Sequence, residues 1–258
     1  MSPPARPGPA LELRQLLPGP KRTTVGEVIE SLSFERLASP GRPYTVVNFV
    51  ATADGRTAFR GRSGALSDPA DRAIFHGLRE RVDAVFAGTQ TMRTERYGRM
   101  VRDPQRRERR AAAGLAPDPL AVVVSRSGNV PTDIPLFDDP DSRIVVFTPR
   151  PPELPENRGA QIDLVRLDPG QLTLTTVMRR LRADYDVRSL LCEGGATVFG
   201  ALLQEHLVDE LFLSVAPMLA GGGTEPPVTS GPELPELQPL HPVWALERDG
   251  ALFLRYAL

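Results

Sequence analysis

Two carboxylates stand where apolar, strand-like runs stop: Asp54 after YTVVNFVA (44–51) and two linking residues, and Glu193 directly after SLLC (189–192). Acids at the ends of two strands can hold a polar substrate between them, or relay a proton if burial raises one pKa. Glu193 follows Leu190, Leu191 and Cys192 and is expected to be partly buried with a partner. Asp54 precedes Gly55, and Asp-Gly is also an ordinary turn dipeptide. Beyond Glu193 come Gly194, Gly195, Ala196 and Thr197, where a helical pattern resumes. Free amides at a helix start, with no side chain in the way, suit a phosphate, and Thr197 adds a hydroxyl; a plain tight turn has the same composition. The run matches neither G-x-G-x-x-G nor G-x-x-x-x-G-K-[ST].

Two further turns resemble it in form. Gly88-Thr89-Gln90-Thr91 is again a strand end, a glycine and a helix start, and two such turns in one domain suit a ligand with two phosphates, such as a dinucleotide. Ser125-Arg126-Ser127-Gly128 puts an arginine between hydroxyls at a strand end, which fits a phosphate monoester such as the 2′-phosphate of NADPH; a solvated turn arginine is the alternative. Arginines crowd residues 93–110, offset by Glu95, Asp103 and Glu108, with Tyr97 as the one aromatic. That pattern argues against a nucleic-acid groove and for a solvated helix over 104–113, while Arg96 or Arg99 lies near enough to the Gly88 turn to reach a substrate phosphate. His76, His206 and His241 show no metal-ligand spacing, and there is no G-x-S-x-G elbow.

Composition limits the classes of partner. The chain has 258 residues, with 31 basic against 32 acidic side chains and a formal net charge of -1. Neither nucleic acid nor membrane is suggested by that balance. A single cysteine, Cys192, excludes an intramolecular disulfide framework and fits a reducing compartment; it reads as a small buried residue. No signal-peptide core and no run of eighteen apolar residues occurs, so a soluble cytoplasmic protein without a metal site is expected.

Strands are expected at 44–51, 83–87, 120–125, 143–148 and 189–193, and helices from about Pro69 to Glu80, with Ser67 as N-cap, and over 171–185. Strands alternating with helices predict an α/β fold with a mostly parallel central sheet. DELFLSVAP (209–217) and ALFLRYAL (251–258) flank a loop-like stretch, so antiparallel C-terminal strands are expected. Before Tyr44 the reading is an N-terminal extension, disordered over residues 1–10, with a short helix within 23–38.

Four segments in this order, NFVATADGRTA (48–58), SGALSDPADRAIFHGLRERVDAVFAGTQTM (63–92), VVVSRSG (122–128) and the stretch from Glu193 to Gly223, resemble the reductase domain of bacterial riboflavin biosynthesis. That resemblance implies a dihydrofolate reductase-like three-layer α/β domain over 44–258. It also implies NADPH-dependent reduction of 5-amino-6-(5-phosphoribosylamino)uracil, in a homodimer. Glu193 would contact substrate beside Asn48, Ser63, Arg79 and Arg99, with Arg79 a candidate for its phosphate, and Asp54 would lie between nicotinamide and substrate. The cofactor would run along Ala51, Thr52, Ala65, Gly88, Thr89, Thr91 and Glu95. Its adenosine phosphate end would meet Ser125 and Arg126, and its diphosphate Gly194, Gly195, Ala196, Thr197, Val198 and Phe199. One departure matters: the family pattern K-x-A-x-S-x-D-G begins with lysine, and here Asn48 replaces the ammonium by a neutral amide. The asparagine form, without a fused zinc deaminase domain, is similar to an actinobacterial branch of stand-alone pyrimidine reductases. Its substrate could instead be a pterin such as dihydrofolate, and a third reading is an NADP-binding protein without turnover.

Overall fold

The computed structural model describes residues 10–154 and 158–258; the segment expected to be disordered lies, up to residue 9, outside the described residues. In chain order the elements are β1 (Glu12–Leu17), β2 (Lys21–Thr24), α1 (Val25–Glu30), β3 (Tyr44–Thr52), α2 (Pro69–Glu80), β4 (Ala84–Phe86), α3 (Thr89–Thr94), α4 (Pro104–Ala112), β5 (Leu120–Val124), α5 (Pro135–Asp138), β6 (Arg143–Thr148), β7 (Gln161–Arg166), α6 (Leu174–Tyr185), β8 (Ser189–Cys192), α7 (Ala196–Gln204), β9 (Glu210–Ala216), β10 (His241–Arg248) and β11 (Ala251–Ala257). One sheet takes them in the order β2-β1-β10-β11-β9-β3-β8-β4-β5-β6-β7. From β9 to β7 every pairing is parallel, and from β9 through β11, β10 and β1 to β2 every pairing is antiparallel.

A strand buried on both faces needs apolar residues at successive positions, and β3 supplies them. Val46 packs into the core on one side with Ile74, Leu78 and Met92, whereas Val47 and Phe49 pack on the other with Val177, Leu181 and Phe199. Helices α1, α2, α3 and α5 therefore cover one face and α6 and α7 the other, which is the expected three-layer α/β arrangement. Register then sets the height of the site. Val47 of β3 and Phe86 of β4 are both level with Cys192 of β8, so β4 and β8 end together with Ala87 and Glu193 side by side, while β3 runs on beside β9 through Asn48 to Thr52.

Several expectations change. Order begins before Tyr44: β1 pairs with β10 and extends the antiparallel half, so residues 12–30 belong to the sheet and its covering helix. Asp68, not Ser67, caps α2 by accepting the Asp71 amide at 2.7 Å. β9 is parallel to β3 and antiparallel only to β11. β7 and β10 were unexpected, because QIDLVR is a mostly exposed edge strand and HPVWALER starts on a histidine-proline pair. Within α4, the solvated helix of the sequence reading, Arg110 is fully buried and donates to the carbonyls of Arg79, Val82 and Ala116.

Candidate active site

Glu193 emerges from β8 with its carboxylate gripped by Arg79 of α2: Nε to Oε1 at 2.6 Å and Nη2 to Oε2 at 2.7 Å. Tyr97 donates its hydroxyl to Oε2 at 2.6 Å, and Arg79 donates from Nη1 to the Met100 carbonyl at 3.0 Å. The guanidinium also lies 4.4 Å from the Phe75 ring centroid. Arg79 is 7% and Glu193 8% exposed, so the pair is held in low dielectric and each charge needs the other. Burial by itself would lower the Arg79 pKa, but the Glu193 charge and hydrogen bonds, with Tyr97, outweigh it and raise it. Burial, then the Glu193 charge, pushes the Tyr97 phenol well up. Arg79 thus serves as the partner of Glu193, and Tyr97 joins a set in which sequence spacing gave it no place.

The glycine turns meet. Gly88 donates its amide to the Gly194 carbonyl at 2.7 Å, and the two peptide segments touch where β4 and β8 end. A Cβ on Gly88 would lie 3.2 Å from Val198, and one on Gly195 would lie 3.0 Å from the Thr91 hydroxyl. Gly194 has φ +85° and the Gly194–Gly195 peptide is cis. Gly195 caps α7 with no side-chain hydrogen bond, and among the described residues the amides of Ala196, Thr197 and Val198 make no protein hydrogen bond. Such a helix start presents aligned N–H donors to an anion. Side chains there pack instead: Thr197 reaches the Ser230 hydroxyl at 3.2 Å, and the Phe199 ring lies tilted against Phe49 with centroids 5.5 Å apart.

A cleft of about 940 Å³ opens over these strand ends, lined by Asn48, Ser63, Thr91, Glu95, Glu193 and Gly195 among others. Ser63 donates both its amide and its hydroxyl to Glu95, at 3.1 and 2.9 Å, which ties the loop before α2 to the end of α3. Asn48 is 8% exposed, and its side-chain amide has no hydrogen-bond partner among the described residues. Arg99 also lines the cleft, but Asp118 at 2.5 Å and Asp141 at 2.6 Å engage its guanidinium. Arg102, which the sequence reading passed over inside the arginine cluster, lines the same wall and makes no side-chain hydrogen bond or ion pair among the described residues. Ala51 and Thr52 are buried, and Ala65 lines a smaller adjoining cavity of about 260 Å³. Ser125 is buried with its hydroxyl on the Asn129 carbonyl at 3.3 Å, whereas Arg126 is exposed at the end of β5. Arg93 links this turn to α3 through Asn129 at 2.8 Å. Burial pushes the Cys192 thiol up to about 12, so no thiolate nucleophile is available there.

Asp54 does not join Glu193 in the cleft lining. It accepts from the Thr52 hydroxyl at 2.5 Å and from the amides of Ala220 and Gly221 at 3.1 and 2.8 Å, anchoring the loop after β9. The Thr52 hydroxyl, then the Ala220 amide and the Gly221 amide, draw its carboxyl down to about 2. It is therefore ionised at neutral pH. A carboxyl with a depressed folded pKa contributes stability above its unfolded value, and that contribution disappears as pH falls through the folded pKa. Asp54→Ala is expected to melt below the wild type at pH 7, with the gap closing between pH 4 and about 2. An equal gap at pH 5 and pH 2 in melting experiments would refute the loop-anchor role.

Comparison with known proteins places these features in a family context. The RibD C-terminal domain family model matches residues 43–248. The chain is 28% identical over 191 residues to the 2,5-diamino-6-ribosylamino-4(3H)-pyrimidinone 5′-phosphate reductase of Archaeoglobus fulgidus, covering 74% of this chain and 87% of that protein. It is 27% identical over 197 residues to the enzyme of the same name from Methanothermobacter thermautotrophicus, covering 76% and 88%. The solved structure of a pyrimidine reductase-like protein from Corynebacterium diphtheriae superposes with a TM-score of 0.74 at 21% identity, covering 91% of this chain and 98% of that one. At that identity the likeness is one of fold.

Proposed function

Since the chain belongs to the RibD C-terminal domain family, we propose that it is an NADPH-dependent reductase of riboflavin biosynthesis acting on a 6-(5-phosphoribosylamino)pyrimidine. The observation that carries this reading is the meeting of the Gly88 and Gly194 turns, under the open start of α7, beside the Arg79–Glu193–Tyr97 set in one cleft. The 5-amino-6-(5-phosphoribosylamino)uracil of the sequence reading and the diaminopyrimidinone in the relatives' names share the ribosylamine and the 5′-phosphate.

The glycine cradle fits a dinucleotide diphosphate, because a side chain at Gly88 or Gly195 would crowd Val198 or Thr91 where the phosphate must approach. With its diphosphate held there, NADPH would supply a hydride to C1′ of the ribosylamine as the C1′–O4′ bond opens and O4′ takes a proton, leaving a ribitylamine and NADP+. The remaining tasks fall to this chain's residues. Glu193, held by Arg79 and Tyr97, is a fixed acceptor for an N–H or O–H of the substrate, so orientation is set before binding. Asn48 offers the substrate a donor and an acceptor, and Arg102 is the unengaged cation for its phosphate. Arg126 is the ligand proposed for the cofactor 2′-phosphate. A cytoplasmic homodimer belongs to the same proposal, and light scattering on the purified protein tests the oligomeric part.

Following nicotinamide absorbance with NADPH and either ribosylaminopyrimidine phosphate tests the reading. Turnover of neither substrate nor of dihydrofolate, alongside tight NADPH binding, would favour the binding protein without turnover. Arg126→Ala is expected to raise KM for NADPH on the order of 10- to 100-fold, the scale of one charge-assisted phosphate contact, while KM for NADH stays within about 2-fold. Equal losses for both cofactors would remove the 2′-phosphate assignment.

A further inference from the structure

Among the arginines of residues 93–110, only Arg102 enters the proposed reaction. Three others, Arg106, Arg109 and Arg110, share one face of α4 and close on the last turn of α2. Arg106 donates from Nη1 to Oε2 of Glu80 at 2.9 Å, and Arg109 donates from Nε to Oε1 at 2.6 Å and from Nη2 to Oε2 at 3.0 Å. Arg110, 0% exposed, takes the backbone. Its Nη1 donates to the carbonyls of Arg79 at 2.6 Å and Val82 at 2.8 Å, and its Nε to that of Ala116 at 2.8 Å. The end of α2 needs such a partner. Its final carbonyls lack intrahelical donors, and Arg81, Val82 and Asp83 follow Glu80 with no glycine to close the turn. The guanidinium supplies donors and a positive charge at the negative end of the helix.

Sealing a cation from water is unfavourable, and Arg110 is not even fully paired, since its Nη2 has no hydrogen-bond partner. Burial draws its pKa down to about 10 against the charges of Asp83, Asp118 and Glu80, so it remains a cation at neutral pH. What it holds is the residue that grips Glu193. The same stretch of chain also meets the pair directly: Tyr97 donates to Glu193, and the Met100 carbonyl accepts from Nη1 of Arg79. Arg79 is thus fixed at its guanidinium by Glu193 and Met100 and at its own carbonyl by Arg110, while two arginines tie down Glu80, the next residue. We infer that α4 positions the Arg79–Glu193 pair, with Arg110 the positioning residue that acts through the Arg79 backbone. Arg110 and Glu80 do not line the cleft, so their route to the substrate runs through Arg79. The kinetic side of this inference rests on the proposed function; the placement of the pair does not.

The test compares kcat for the ribosylaminopyrimidine phosphate and Kd for NADPH in Arg110→Met, Arg110→Lys and Glu80→Gln. Arg42→Met, which breaks the Arg42–Asp209 pair at the amino end of β3, is the control for lost stability alone. In Arg110→Met kcat is expected to fall about 100-fold, the scale of a reacting geometry displaced by about 1 Å, while Kd for NADPH stays within about 2-fold. Arg110→Lys, whose ammonium can meet some of the carbonyls, should lie between Arg110→Met and the wild type, and Glu80→Gln should fall in the same direction. Arg42→Met should keep wild-type kcat. Wild-type kcat in Arg110→Met, kcat and NADPH affinity falling together, or an equal kcat loss in Arg42→Met would each overturn the inference. If Arg110→Met does not fold, Arg110→Lys and Glu80→Gln carry the same comparison, because both keep a hydrogen-bonding group in place. A second measurement needs no turnover: nitrogen-15 NMR of the Arg79 Nε–H, assigned by its disappearance in Arg79→Lys. Bonded to Glu193 in a buried site, this proton should exchange slowly in the wild type and about 10-fold faster in Arg110→Lys. If no ribosylaminopyrimidine phosphate is reduced, the proposed reaction falls and this exchange rate decides the role of α4 by itself. Faster exchange in the variant supports it, and an unchanged rate overturns it.

Discussion

Arg79→Met is expected to cost about 3–5 kcal/mol of stability and to abolish turnover, because it removes the cation and leaves Glu193 as an uncompensated buried charge. For a chain of this size that corresponds to a fall in melting temperature on the order of 10 °C. Tyr97 cannot replace the guanidinium: it gives one hydrogen bond to Oε2 and no charge, and its own phenol is held neutral by burial. The Met100 carbonyl would lose its Arg79 donor as well. The double variant Arg79→Met with Glu193→Gln removes both charges, so most of the stability should return while turnover does not. Calorimetry and NADPH oxidation on the single and double variants read the two effects separately. A double variant as unstable as Arg79→Met would show that packing over Phe75, and not the ion pair, carries the cost.

The same pair shows what could be read from the chain alone. Glu193 was legible because an acid directly after Leu190, Leu191 and Cys192 cannot avoid burial, and a buried acid needs a partner. The identity of that partner was not legible. Arg79 lies 114 positions away, and only the packing of α2 across β3 and β8 brings it to the carboxylate. Tyr97 was visible only as the lone aromatic among arginines, and its contact depends on the chain turning back after α3. The parallel half of the sheet was legible from short β-branched runs. β1, β7 and β10 were not: β7 is an edge strand, and β1 and β10 lie in the antiparallel half with mostly exposed or half-buried residues, so none of them needs a continuous apolar run. For Asp54 a carboxylate at a strand end has the same local sequence whether or not it ties down a loop. The amides of Ala220 and Gly221 that it holds lie 166 and 167 positions away.

Gly194→Ala and Gly195→Ala are expected to fail in different ways, which separates folding from cofactor binding within one dipeptide. Gly194 has φ +85°, and a Cβ there would lie 2.8 Å from Cζ of Phe49. Phe49 is buried against Phe199 and has little room to yield. The strained backbone alone costs on the order of 1–3 kcal/mol for a residue other than glycine, and the clash adds to it. Displacing this peptide also pulls the Gly194 carbonyl from the Gly88 amide, so both turns loosen together. Gly195→Ala has no such backbone problem, since Gly195 has φ −70°. Its Cβ meets only the Thr91 hydroxyl at 3.0 Å, and a small side-chain movement relieves that contact. The methyl would nevertheless stand at the start of α7, where the diphosphate is proposed to approach the backbone. Thermal melting should therefore show Gly194→Ala strongly destabilised and Gly195→Ala within about 1 kcal/mol of the wild type. Fluorescence titration should show NADPH affinity reduced at least about 10-fold in Gly195→Ala, the loss of one or two backbone hydrogen bonds to a charged group. Wild-type affinity in Gly195→Ala would move the diphosphate away from this helix start. Wild-type stability in Gly194→Ala would mean that the Phe49 contact and the positive φ do not constrain the turn.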